Sequence, residues 1–190
     1  MTGLDVDRDA LVEVAVIVTE ADLTELDEGI SLIIKPDDLS VLDGMEDVVR
    51  EMHTASGLLP EIPSGVSLAE AQERVMEYVR RHVPEPRRAP LAGSSVYVDR
   101  AFLARGLPEL DAHLHYRLVD VSTMKELARR WYPRVYFASP EKKGNHRALG
   151  DIRESIAELR YYRDAIFVPP PGPGTDAARA TAAEHVVDHG

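Results

Sequence analysis

His146 and Asp151 are the two residues of this chain whose types and spacing most directly suggest chemistry. Five residues advance an ideal helix by about 500°, or about 140° net, so the two side chains cannot share one face of a rigid helix. To cooperate, His146 must sit on the loop just before the helix that Asp151 begins. There its intrinsic pKa near neutrality suits a general base that approaches a metal-bound water. Asp99 is the third candidate, following an apolar run and opening a short helix. Together the three residue types fit a metal-dependent hydrolytic or phosphoryl-transfer site. Each also has a plain structural account: Asp99 as a helix cap, Asp151 as a partner for the dipole of a first turn, His146 as a surface loop residue. No nucleophile elbow, phosphate loop or dinucleotide fingerprint competes with this reading.

Basic groups flank these positions. Lys142, Lys143 and Arg147 surround His146, where an approaching phosphate would need positive charge. Arg80, Arg81, Arg87 and Arg88 flank a proline-rich link and read as a solvated face. Tyr116, Arg117 and Ser122 bracket a strand end; phosphate binding accounts for them, and so do a core edge and a helix cap.

The elements that must position these residues can be read from periodicity. The run ALVEVAVIVT at 10–19 is β-branched, with Glu13 its only charge, and reads as a buried strand. Residues 23–28 and 31–35 read as two more strands, making a three-stranded meander. Met45, Val48, Val49 and Met52 fall at helical spacing, and HTASGL at 53–58 breaks regularity. Ser67 with Glu70 forms a capping-box pattern before a helix over 68–82, whose apolar stripe is Leu68, Ala71, Val75, Tyr78 and Val79. Residues 83–90 are a surface link, interrupted by prolines. An apolar run over 90–98 precedes Asp99, and 118–121 reads as a central strand. Ser122 caps a helix burying Met124, Leu127, Ala128 and Trp131. A polar loop at 139–147 leads to a helix over about 148–165 that buries Ile152, Ile156, Leu159 and Tyr162. Residues 169–190, rich in Pro, Gly and Ala, read as a tail after a single domain over 1–168. Early strands followed by strands alternating with helices imply an α/β fold with a mixed sheet.

Composition bounds the function. The 190 residues carry a net charge of −11 and no cysteine, which excludes disulfides, thiolate metal sites and a cysteine nucleophile. That balance argues against wrapping long duplex DNA, but not against a short nucleic acid bound through cations. No apolar run reaches the roughly 18 residues of a membrane span, and there is no basic-then-apolar leader. The expectation is a cytoplasmic protein.

Five stretches carry a family resemblance: MTGLD at 1–5, HTASGL at 53–58, VDRAFL at 98–103, HYRLVDVSTMKELARRWYP at 115–133 and NHRALGDIRESIAELRYYR at 145–163. In this order and spacing the chain resembles the oligoribonucleases, members of the DEDDh exonucleases, over nearly its whole length. The resemblance implies a ribonuclease-H-like mixed sheet flanked by helices, and a homodimer. It implies removal of 5′-mononucleotides from the 3′ end of very short RNA, especially dinucleotides, with two Mg²⁺ or Mn²⁺ ions. By motif, His146 matches the general base, Asp151 a metal ligand, and Asp99 the carboxylate of the second exonuclease motif. Leu4 matches an apolar wedge near the bases, and Ser95 a serine near the sugar–phosphate. Tyr116 matches a tyrosine contributed across the dimer, while Arg117 and Ser122 resemble a cap around a terminal 5′-phosphate. The sequence departs from the pattern in three places. The family's Asp-x-Glu motif and its strand precede the point where this sequence opens, so the expectation is weak metal binding here and an active protein that extends upstream. Ser94 stands where Asn is usual, and Val48 where several members have Trp. Two other activities fit the residues: a non-catalytic binder of short RNA or dinucleotides, and a DEDDh exonuclease acting on longer nucleic acid.

Overall fold

The computed structural model describes residues 1–141, 144 and 146–187. Strand β1 (Glu13–Val16) pairs antiparallel with β2 (Ile30–Ile33), with Glu13 opposite Ile33 and Val16 opposite Ile30. Strand β3 (Pro90–Gly93) pairs in parallel with β4 (His115–Asp120), placing Leu91 opposite Leu118 and Gly93 opposite Asp120. Between and after them run α1 (Asp47–Ala55), α2 (Leu68–His82), α3 (Val96–Gly106), α4 (Pro108–His113), α5 (Val121–Trp131), α6 (Pro133–Phe137), α7 (Ala148–Ile166) and α8 (Thr175–Glu184). Parallel and antiparallel pairing flanked by helices is a mixed α/β architecture, consistent with the ribonuclease-H-like class expected.

The core forms where α2 lays its apolar stripe on the first ladder. Ala71, Val75, Met76 and Val79 pack with Val14, Leu32 and Ile34, and with Leu103, Leu107 and Leu110 of the α3–α4 region. The Ser67 hydroxyl accepts from the Glu70 amide, as expected of the cap. The reciprocal half of the box is replaced by an ion pair from Glu70 to Arg74.

Several expectations are corrected. Residues 23–28 form no regular strand, so the meander reduces to a two-stranded hairpin with one isolated bridge between Thr19 and Glu25. Asp22 and Asp27 each accept the amide two residues on, which curls the chain, and Leu23 takes a positive φ of 73°. The strand expected at 118–121 is longer, begins at His115 and is largely exposed rather than central. Helix α3 starts three residues before Asp99, with Ser95 preceding it. Asp120, not Ser122, caps α5. Trp131 is 65% exposed and lies outside the core. In α7 Tyr162 is buried, but Ser155 and Glu158 are buried with it, Glu158 through an ion pair to Lys125 at 3.3 Å. The Ala-rich stretch beyond Gly174 forms α8, with no buried residue. Arg80, Arg81 and Arg88 ion-pair with Glu109, Glu77 and Glu85, the solvated face expected of that cluster.

One polar network pins the turn after β1 to α2. The Tyr78 hydroxyl donates to Asp27 at 2.7 Å and accepts the Val18 amide at 3.2 Å, while His82 Nε2 lies 2.8 Å from the same carboxylate. Burial and the Asp27 carboxylate push the Tyr78 pKa up to about 12. The Tyr78 bond, with the Gly29 amide, holds Asp27 below its ordinary value. A raised folded-state pKa stabilises the protein below the unfolded value of 10.0, and that contribution fades as pH rises towards 12. We therefore expect Tyr78→Phe to cost about 1–2 kcal/mol at neutral pH. Urea denaturation should show the deficit intact up to the ordinary tyrosine pKa and shrinking above it. A deficit independent of alkaline pH would refute the account.

Candidate active site

The start of α7 is fixed by a carboxylate from the other end of the chain. Glu13, on β1, has a side chain only 6% exposed and places Oε1 3.0 Å from Arg147 Nε. Its Oε2 accepts the Ala148 amide at 3.0 Å, satisfying one of the N–H groups that a helix leaves unpaired at its first turn. Arg147 also reaches Glu61 at 3.2 Å. His146, just outside the helix, takes the left-handed conformation with φ 52°. Asp151 lies in the first turn, its amide bonded to the Arg147 carbonyl. His146 thus precedes the helix and Asp151 lies on it, the arrangement that cooperation between them would need.

A second histidine lies nearby. His53, 3% exposed in the last turn of α1, holds Nε2 2.8 Å from the Met1 carbonyl oxygen. Burial pushes its pKa down, against the Met1 hydrogen bond, and it feels the charges of the Met1 amino group, Glu13 and His146. Burial likewise lowers the Met1 amino group, which Glu13, Asp99 and Asp9 pull back upward. Asp99, on α3, keeps part of its surface open to solvent. The protein packed around its carboxyl nevertheless pushes its pKa above the ordinary carboxylate value. Glu13, Asp99, His53 and His146 therefore share one electrostatic neighbourhood.

Residues 1–10 close over this region as a tight loop. Buried Thr2 donates to Asp9 and accepts the Ala10 amide, both at 2.9 Å. Leu4 projects from the loop, 78% exposed.

A cluster of hydroxyls sits where β3 and β4 end. Ser95 takes the left-handed conformation, φ 54° and ψ 36°, and its Oγ lies 3.1 Å from Ser122 Oγ. Ser94 Oγ meets Ser155 Oγ of α7 at 2.9 Å. On β4, Tyr116 is 70% exposed, stacked on His115, with the Arg117 guanidinium 5.4 Å over its ring. Lys142, Lys143 and Asn145 lie outside the described residues.

Asp99 and, through His53, His146 thus fall in the neighbourhood of Glu13, Asp151 follows on the first turn of α7, and Ser95 and Ser122 meet beyond the ends of β3 and β4. Glu13 and His53 were not recognised as site residues from sequence. The lone charge in a buried strand was the available signal for Glu13; for His53 it was its place at the head of the HTASGL stretch at 53–58. As for a cation, Asp99 and Asp151 are hard oxygen donors. No group of three His, Asp or Glu residues that could hold a metal ion forms among the described residues.

Comparison with known proteins places the chain in a family. Residues 1–159 match the family described as Exonuclease. The chain is 62% identical to the oligoribonuclease of Streptomyces coelicolor over 190 residues, covering 100% of this chain and 94% of that one. It is 61% identical to the oligoribonuclease of Leifsonia xyli, covering 96% and 88%, and 54% identical to that of Mycobacterium tuberculosis, covering 97% and 86%. The chain is therefore an enzyme of the exonuclease family and belongs, within it, to the oligoribonucleases. That family implies dependence on a divalent metal.

Removing Glu13 would take from the Arg147 guanidinium the more deeply buried of its two carboxylates and uncap α7. We expect Glu13→Ala to lose at least about 2 kcal/mol of stability, and Glu13→Gln, which can still accept the Ala148 amide, to lose less. Denaturant midpoints measure both; equal losses would show that the cap contributes nothing.

Proposed function

We propose that this enzyme hydrolyses very short oligoribonucleotides from the 3′ end, dinucleotides above all, and releases 5′-mononucleotides. The observation that carries the reading is the head of α7, where His146 stands two positions before an anchored helix bearing Asp151. In this reading His146 takes the proton of the attacking water. Asp99 and Asp151 are this chain's donors to the divalent ion, Mg²⁺ or Mn²⁺. Leu4 wedges against the bases, Ser95 meets the sugar–phosphate, and Arg117 and Ser122 surround a terminal 5′-phosphate. Such an end cap favours a dinucleotide because a longer chain carries its terminal phosphate out of reach. Residues 1–168 act as the exonuclease domain and 169–190 as an appended tail. The protein works in the cytoplasm; no helix among the described residues is long and apolar enough to cross a membrane.

The test is release of mononucleotide from a 5′-labelled diribonucleotide with Mg²⁺ or Mn²⁺, beside a longer RNA. We expect the dinucleotide to be preferred and His146→Ala to lower kcat by about 10²–10⁴-fold. Unchanged turnover in His146→Ala would remove the histidine from the mechanism. Preference for the longer RNA would remove the end-cap reading.

The active form is a homodimer in which Tyr116 reaches the partner's site. Support comes from large apolar side chains left in water, Tyr116 on β4 and Trp131 and Phe137 at the ends of α5 and α6. Sedimentation should give twice the chain mass, and Tyr116→Ala should lower activity without dissociating the dimer. A monomer with full activity would overturn this.

A further inference from the structure

We propose that Asp120 is a positioning residue for recognition of a terminal 5′-phosphate, acting through Ser95 and Ser122. The inference rests on the reading of those two serines as phosphate contacts.

Gly93 and Asp120 stand opposite each other at the ends of parallel strands, so the turns that follow leave the ladder side by side. Ligands of α/β sheets commonly bind beyond such carboxyl ends. Asp120 Oδ1 accepts two amides, that of Ser122 at 3.0 Å and that of Ser95 at 2.9 Å. Its Oδ2 faces the Thr123 hydroxyl at 3.4 Å. The contacts with Ser122 and Thr123 are ordinary capping of α5. The bond to Ser95 is different, because it crosses the ladder to a residue 25 positions away. It grips Ser95 in the left-handed region, which residues with a Cβ seldom occupy.

The result is a matched pair of hydroxyls. With the two Oγ atoms 3.1 Å apart, one O–H donates to the other oxygen and the second O–H is left to point outward. Both oxygens can then meet a single phosphate group. The three donors that converge on Asp120 offset its own charge, so the carboxylate can stand behind a phosphate site without dominating it.

Capping and positioning can be separated. Serine and threonine cap helices about as well as aspartate, but their hydroxyl is too short to span to Ser95 as well. Asparagine keeps the length and an oxygen acceptor. The measurement is the affinity of the full chain for pApA and for ApA, by competition in EDTA so that no turnover intervenes. Wild-type protein should prefer pApA by about tenfold or more, the worth of a charge-assisted contact. Asp120→Ser should melt near the wild type and lose that preference, and Asp120→Asn should keep most of it. Asp120→Thr provides the same separation should the serine variant not fold. A preference intact in the short-cap variants would overturn the inference while leaving the phosphate cap standing. Equal affinities for pApA and ApA in the wild type, unaltered in Ser122→Ala, would remove the cap reading itself and the inference with it.

Discussion

Glu13 joins parts of the chain 134 residues apart, and the geometry around His146 depends on that bond. A carboxylate in a β-branched strand is costly to bury unless every oxygen finds a donor. Here each does: one oxygen meets a guanidinium and the other a helix amide. The bond therefore sets where α7 begins and leaves His146 outside the helix. Since α7 also carries Ser155, which meets Ser94 after β3, the helix extends the placement set by β1 to the second ladder.

Asp120 repeats this logic on a smaller scale. A single carboxylate oxygen gathers two backbone amides from different turns, and the side chains on those turns are brought to hydrogen-bond distance. In both places an acidic residue at a strand organises groups distant in sequence. Neither needs to touch a substrate to matter.

The helices were the most legible part of the sequence, because a 3.6-residue apolar period persists over many residues. α2 follows its predicted stripe and cap closely. The strands were less legible. Only four residues long in β1, β2 and β3, they give too little alternation to mark their ends, and Asp22 and Asp27 divert the backbone by side-chain bonds that hydropathy does not register. Trp131 misled because its spacing fits the α5 stripe, while the helix ends where most of the ring stays in solvent. The placement of His146 ahead of the helix was legible from the polar stretch over 139–147 and from the spacing, given cooperation with Asp151. What the spacing could not reveal was the agent that holds it there, since a contact between residues 13 and 147 leaves no local pattern.

The loop over residues 2–10 has a thermodynamic consequence for whatever meets Leu4. Thr2 and Asp9 tie the loop closed, and a side chain at Gly3 would run into the Asp9 carboxylate, 2.4 Å from where its Cβ would stand. The loop is thus ordered while Leu4 remains in water. Much of the entropy loss that usually accompanies docking onto a surface loop has been incurred during folding. An apolar ligand face arriving there gains the dehydration of Leu4 nearly in full, so this contact is preorganised and should carry the negative heat-capacity change of apolar burial with little signature of loop ordering.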